Sequence, residues 1–256
     1  MGGSALIRGE QIAEYLGAKY NPENSYENDV CIYIKPSMKI DGTPDVQFVN
    51  KAYIDIIDYK EYIQWLRERP ELSGIVASQY AYDILRKSRM PNKIVFIPQQ
   101  HCNFERFVRD RKGIKNVGII GAPRTFQYST DEISDRLEQI GLRLVVNTDF
   151  QSRIDVVNFY KNIDVQIIWD SIYRPLKTPL KIINAASFGI PTLGYPHRGY
   201  REVDGHYIKA QTIDQLMEEV EKLKDPKNYK TASENLLQMA ENYHISKITE
   251  MYKELL

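Results

Sequence analysis

Short runs rich in β-branched residues alternate with helix-patterned segments along this chain, and the alternation begins twice. Strand, helix, strand in succession closes compactly when the strands pair in parallel and the helices cover the sheet faces, so the order predicts an α/β protein with parallel sheets. In the first half, 7–16 reads as a helix and 30–34, 46–49 and 53–57 as strands. A helix over 59–67 is kept short by Pro70, a strand at 74–78 leads into a helix at 79–87, and a strand at 94–97 stops at Pro98. The polar stretch 101–112 reads as a connection between halves.

The pattern then restarts with a strand at 117–120 closed by Gly121. Ser129 and Glu132 have capping-box spacing before a helix whose Ile133, Leu137 and Ile140 share one face and which Gly141 ends. A strand at 142–146, a helix at 154–160 and a strand at 165–169 follow. Thr212 and Gln215 form a second capping pair, and Pro226 reads as the end of that element. Ile248, Met251, Tyr252 and Leu255 mark one face of a last helix, which needs a surface to lie on. The expected division is a first domain over 1–110, a second over 111–245 and a C-terminal helix over 246–256. A doubly wound domain ordinarily opens on a strand that feeds its first helix. This one opens on a helix, so the first domain is expected to be short or to lack its first strand.

Composition narrows the function. Among 256 residues, 34 Lys and Arg balance 34 Asp and Glu, so no global basic field exists to hold nucleic acid, and any anion site must be a local pocket. Cys31 and Cys102 show no metal or pairing pattern, and His101, His197, His206 and His244 show no HxxxH spacing, so no metal site is expected. No apolar run approaches the ~20 residues that cross a bilayer, and the start lacks the apolar stretch of a signal peptide. A cytoplasmic setting is the expectation. No G-x-G-x-x-G follows a strand, and neither G-x-x-x-x-G-K-[ST] nor G-x-S-x-G occurs. Those absences argue against dinucleotide oxidoreductases, P-loop enzymes and the common α/β-hydrolases.

The most telling stretch runs from Lys177 to Tyr195. Thr178 is a good N-cap and Pro179 suits the first helical position. Ile182, Ile183, Ala186 and Phe188 give an apolar side, Gly189 ends the helix, and 190–193 is a buried strand. Lys177 and Lys181 flank the helix N-terminus, where the macrodipole already carries roughly +0.5 charge and cations are disfavoured. A bound anion would relieve that conflict. Two solvated lysines would equally account for it.

Three further places carry chemistry. The loop 194–202 follows a strand and holds Gly199, Arg198, Arg201 and Glu202, and ligands bind beyond the carboxyl ends of strands in open α/β sheets. It reads either as a phosphate-holding loop or as plain surface. Gly121-Ala-Pro-Arg124 follows the first strand of the second half, from which Arg124 could reach the same crevice. Asp55 and Asp58 end a first-half strand, either near a cleft or as a solvated pair capping the next helix. His101 would face a cleft between the sheets, or is an ordinary loop histidine.

The runs 164–169, 179–194 and 199–202, with 75–79 and 93–98 in the first half, resemble glycosyltransferases of the GT-B fold. The resemblance is closest to the retaining group called family 4, whose order is matched by Lys181, Gly189, Pro191, Gly199 and Glu202. It implies two Rossmann-like domains facing a cleft, the first on the acceptor side and the second holding the nucleotide-sugar, with the last helix packing back on the first. It implies that Arg124, Lys177, Lys181, Gly199 and Arg201 hold the donor diphosphate, and that Gly121, Asn184 and Glu202 contact its nucleotide and sugar. The family's paired acids fall here on Leu176 and Asn184, and neither is charged.

The leading expectation is a glycosyltransferase that needs no metal or separate cofactor, its substrate being a nucleotide-diphosphate sugar. Positioned cations and helix N–H groups would stabilise the leaving diphosphate. The acceptor is an unspecified glycan, lipid or small molecule. His101, Asp55 and Asp58 are the candidates to cross the cleft and act in catalysis. The alternative, favoured by Leu176 and Asn184, is a non-catalytic protein that binds a nucleotide or sugar phosphate on the same fold. A third reading is an assembly component with a vestigial cleft.

Overall fold

The restart of the β/α pattern produces two separate parallel sheets. The computed structural model describes residues 3–41, 43–44, 48–49, 51–57, 60–111 and 113–256, except the side chain of Arg124. The chain opens on a helical segment in three pieces: α1 (Gly3–Ala5), a π-helical turn (Leu6–Glu10) and α2 (Gln11–Leu16). The first sheet then runs β1 (Val30–Ile34), β2 (Lys51–Asp55), β3 (Ser73–Val76) and β4 (Ile94–Phe96), each parallel to the next. Helix α3 (Glu61–Arg67) follows β2 and α4 (Gln79–Lys87) follows β3. The sheet has no strand before its first helix among the described residues, so the first domain is reduced as expected. Of the strand expected at 46–49, residues 46 and 47 lie outside the described residues, and Phe48 and Val49 belong to neither helix nor strand.

Alternation along these strands sorts side chains onto two faces. Ala52, Ile54 and Val76 join Leu66 and Leu85 in one core cluster, while Tyr53 and Ile75 join Ile12 and Ile97 in another. The second cluster is completed by Ile245, Ile248, Tyr252 and Leu255, so the C-terminal helix α10 (Ile245–Lys253) finds its surface on the first sheet.

The second sheet contains β5 (Asn116–Ile120), β6 (Arg143–Asn147), β7 (Val165–Ile168), β8 (Thr192–Gly194) and β9 (Ile208–Lys209), in the spatial order β6-β5-β7-β8-β9. Its helices are α5 (Thr130–Gln139), α6 (Arg153–Asn162), α7 (Leu180–Ser187), α8 (Ile213–Lys222) and α9 (Pro226–Ala240). The caps at Ser129 and Thr212 form: their hydroxyls accept from the Glu132 and Gln215 amides. Pro226 is a correction. It ends nothing, but stands at the first position of α9, capped by the Asp225 side chain, where its missing N–H would have no helical partner.

The link between the sheets is also unlike its sequence impression. Gln99, Gln100, His101, Cys102 and Asn103 are all buried. Buried backbone must find partners, and here it does. His101 N–H donates to the Tyr243 carbonyl (3.0 Å), Cys102 N–H to Asn184 Oδ1 (2.8 Å) and Asn103 N–H to His101 Nδ1 (3.2 Å), while the Asn103 side-chain Nδ2 donates to the Ser187 carbonyl (2.8 Å). The chain crosses between sheets under cover of α7 and α10.

Candidate functional site

From β5 the chain passes to β6 on one side and returns through α6 to β7 on the other. The loops leaving β5 and β7 therefore diverge, and a crevice opens beyond their carboxyl ends. A cavity of ≈ 230 Å³ lies there, bordered by Gly121, Tyr128, Trp169, Asp170, Lys177 and Lys181. The aromatic wall is ordered by edge-to-face packing of Tyr128 on Trp169 (5.9 Å between centroids), and Trp169 in turn meets Tyr195 (5.7 Å).

Lys181 lies in the first turn of α7. That helix starts one residue later than its sequence suggests: Pro179 is the N-cap, no side chain caps the end, and Thr178 instead donates its hydroxyl to Gln99 Oε1 of the interdomain link (2.6 Å). Gln166, in the middle of β7, fixes the helix start. Its amide donates to the Lys181 carbonyl (3.0 Å) and to Thr192 Oγ1 (3.0 Å), while its own oxygen accepts from the Tyr160 hydroxyl (2.7 Å). A buried glutamine in a strand was the one signal that could have revealed this support.

The Lys181 side chain runs along the end of β5. Gly121 has φ +145°, so this position favours glycine for its backbone conformation, and a Cβ there would come within 2.6 Å of the Lys181 Nζ and displace it. Among the described residues, Lys181 makes no ion pair and its Nζ no hydrogen bond. Burial and the nearby Lys177 charge lower its pKa to about 8, against the pull of Asp170. Lys177 is different, because its Nζ is 2.6 Å from Asp170 Oδ2. Asp170, which the sequence reading passed over, is buried just beyond β7 and also binds Arg174 (3.2 Å) and the Gln127 amide (3.3 Å). Burial would raise its carboxyl, but the hydrogen bond and charge of Lys177 prevail and hold it below the ordinary value. The crevice thus contains a neutralised Lys177–Asp170 pair beside an uncompensated ammonium.

The glycine loop after β8 is built against this site. His197 Nδ1 accepts from the Gly199 amide (2.9 Å) and caps the 3-10 turn Arg198–Val203. A Cβ at Gly199 would overlap the Lys177 carbonyl oxygen, so glycine is required for the loop to touch the 170–178 segment. The charged residues of the loop turn elsewhere. Arg201 pairs with Asp83 of α4 (2.8 Å), and Glu202 Oε2 accepts from the Gln79 amide at the start of α4 (2.6 Å). In this structure the two side chains therefore contact α4 of the first domain. Among the described residues Glu202 Oε1 has no hydrogen-bond partner, and burial pushes this carboxyl up to about 7.

Other expected residues also serve the domain junction. Asn184 is buried and accepts from Cys102 N–H. Leu176 crosses over to join the first-domain core cluster of Ile54, Leu66 and Leu85, which explains why an acid has no place there. Asp55 is fully buried in an ion pair with Arg8 of the π-helical turn and does not face the cleft. His101 is 2% exposed, its ring 5.4 Å from that of His244, and burial lowers its pKa to about 3. Asp58 lies outside the described residues. Arg124 stands in the turn Pro123–Thr125 beside the crevice. Among the described residues no group of three His, Cys, Asp or Glu could hold a metal ion, and no helix is long and apolar enough to cross a membrane.

No protein-family model matches the sequence, and no curated protein matches it. Solved structures do match the fold. A glycosyltransferase from Rickettsia africae ESF-5 superposes with a TM-score of 0.64 at 11% identity, covering 100% of this chain and 96% of that one. Anabaena HepE, solved with UDP and glucose, gives 0.59 at 11% identity over 79% of this chain and 70% of that one. The pneumococcal O-GlcNAc transferase GtfA, solved with UDP and GlcNAc, gives 0.54 at 15% identity over 79% of this chain. This chain spans 51% of GtfA, about half its length. The two facing parallel sheets are the GT-B fold of those structures, with a reduced first domain.

Proposed function

We propose that the protein is a glycosyltransferase that takes a sugar from a nucleotide-diphosphate donor bound in the crevice between the ends of β5 and β7. The observation that carries this reading is the Lys181 ammonium, half-buried and, among the described residues, without an anion of its own, beside the uncapped N-terminus of α7. A diphosphate supplies the missing charge and accepts from free helix N–H groups. The aromatic wall of Tyr128 and Trp169 suits a flat base, and the UDP and sugars held by HepE and GtfA support a donor of this class. Lys181, with Arg124 and Lys177 nearby, would stabilise the departing diphosphate without a metal, as in the retaining family 4 type. The acceptor would be a glycan, lipid or small molecule entering from the first domain, and the setting cytoplasmic, in keeping with two free thiols.

A second reading has its own support. Leu176 and Asn184 serve the domain junction, and Asp55 and His101 are buried. These placements favour a protein that binds a nucleotide or sugar phosphate without transferring it.

Calorimetry with UDP-sugars and GDP-sugars, with and without Mg²⁺, tests both. The proposal expects binding that Lys181→Ala weakens about ten-fold or more, from the loss of one charge-assisted contact. Turnover to free nucleotide with an acceptor panel then separates transferase from binder. Unchanged affinity in Lys181→Ala would remove the crevice from either account.

A further inference from the structure

We infer that the outer side of α9 carries a second binding site, for a neutral carbohydrate, separate from the crevice. Helix α9 and the turn after it border a hollow of ≈ 370 Å³ lined by Gly205, His206, Asn235, Gln238, Met239 and Asn242. It is larger than the β5/β7 crevice and shares no lining residue with it. Its volume falls within the ~300–1,000 Å³ range of small-molecule sites.

The chemistry of the lining is selective. Asn235, Gln238 and Asn242 are spaced by three and four residues, which brings them to one side of the helix and its continuation. Carboxamides both donate and accept, as sugar hydroxyls do. Among the described residues, none of the three amides nor the His206 ring makes a hydrogen bond within the chain. Met239, buried beneath them in the cluster that joins α9 to α7, offers a soft apolar floor for the C–H side of a sugar ring.

Neutrality is the second argument. The charges of this region are directed at one another instead of into the hollow. Lys230 faces Glu234 along α9 (3.8 Å), and Glu241 takes a two-pronged contact from Arg106 (2.6 and 3.1 Å). Among the described residues, no carboxylate, ammonium or guanidinium lines the hollow. An anionic ligand would find no cation there, and a cationic one no carboxylate. The arrangement fits a ligand that offers many hydroxyls and no charge. This inference does not depend on transfer activity, since a binder on the same fold could use the site equally.

The test uses the full chain with maltohexaose as a neutral probe and hexagalacturonate as an acidic one, read by saturation-transfer NMR and calorimetry. Maltohexaose should receive saturation, and the double variant Asn235→Ala, Gln238→Ala should weaken its binding about ten-fold, from the loss of two neutral hydrogen-bonding side chains. Lys181→Ala should leave maltohexaose binding unchanged, while the double variant should leave nucleotide binding unchanged. The two sites can therefore fail independently. Both substitutions lie at exposed positions, and a matching circular-dichroism melt confirms the fold. No transfer to maltohexaose at millimolar concentration, affinity unaltered by the double variant, or stronger binding of the acidic probe would each overturn the inference.

Discussion

Lys177 Nζ lies 2.6 Å from Asp170 Oδ2, while Lys181, four residues onward in the first turn of α7, lines the same crevice with no ion-pair partner among the described residues. The internal carboxylate therefore occupies Lys177 and Arg174 and leaves Lys181 to an incoming anion. It also opposes that anion through its own charge. Asp170→Asn should tighten binding of UDP several-fold while lowering stability by about 1–2 kcal/mol, because the half-buried Lys177 and Arg174 lose their carboxylate. Calorimetry and denaturant unfolding read the two effects separately. Weaker UDP binding would mean that Asp170 positions Lys177 more than it repels the ligand.

The protonation state of Lys181 gives a pH signature. Its pKa in the folded protein is lowered to about 8 from 10.5. The unfolded chain therefore binds more protons across that window, and this group adds stability as pH rises through it. Diphosphate binding reverses the preference, since an anion favours the ammonium form. Affinity should be flat below about pH 8 and fall by up to roughly ten-fold per unit above it, with proton uptake on binding. Calorimetry at pH 8.5 in buffers of different ionisation enthalpy detects that uptake. Its absence in wild type, or its persistence in Lys181→Ala, would contradict the assignment.

Glu202 has the opposite sign. Its carboxyl is raised to about 7 from 4.5, so the folded state holds the extra proton between those values. Stability from this group is lost as pH rises through that window and stays lost above 7. Glu202→Gln keeps an acceptor for the Gln79 amide and removes the charge. At pH 8 it should stabilise by about 1–3 kcal/mol, a melting-temperature rise of several degrees, with little gain at pH 4. A lower melting temperature at pH 8 would show that the charge itself holds the domains together.

Leu176 tests the junction. Leu176→Ala should cost about 2–4 kcal/mol, since the side chain is 7% exposed in the first-domain cluster. Leu176→Glu restores the acid of the family pattern but places it in an apolar core, so it should destabilise more than alanine and bring no activity. Urea unfolding ranks the two. A glutamate variant as stable as wild type would mean that the segment swings out into the cleft.

Much of this was legible in the sequence because it depends on neighbours along the chain. Alternation in 53–55 and 75–76 assigns side chains to faces, Ser129 and Thr212 signal helix starts through contacts three residues away, and the lysines at 177 and 181 conflict visibly with the helix start beside them. Pro226 misled because the same residue suits both the end of one helix and the first turn of another, and only the Asp225 cap decides between them.

What tertiary structure alone decided are the partners brought together from distant segments. Gln127 reaches Asp170 across 43 positions because β5 lies beside β7, and Gln166 meets the Lys181 carbonyl through the packing of α7 on that sheet. Glu202 reaches Gln79 across 123 positions, and Asn184 reaches Cys102 across 82. Asp55 and His101 had the residue type for catalysis, but packing removed both from the cleft. A side chain's chemistry is written in the sequence. Its burial and its partners, which determine whether that chemistry is available, arise only when the two sheets close on one another.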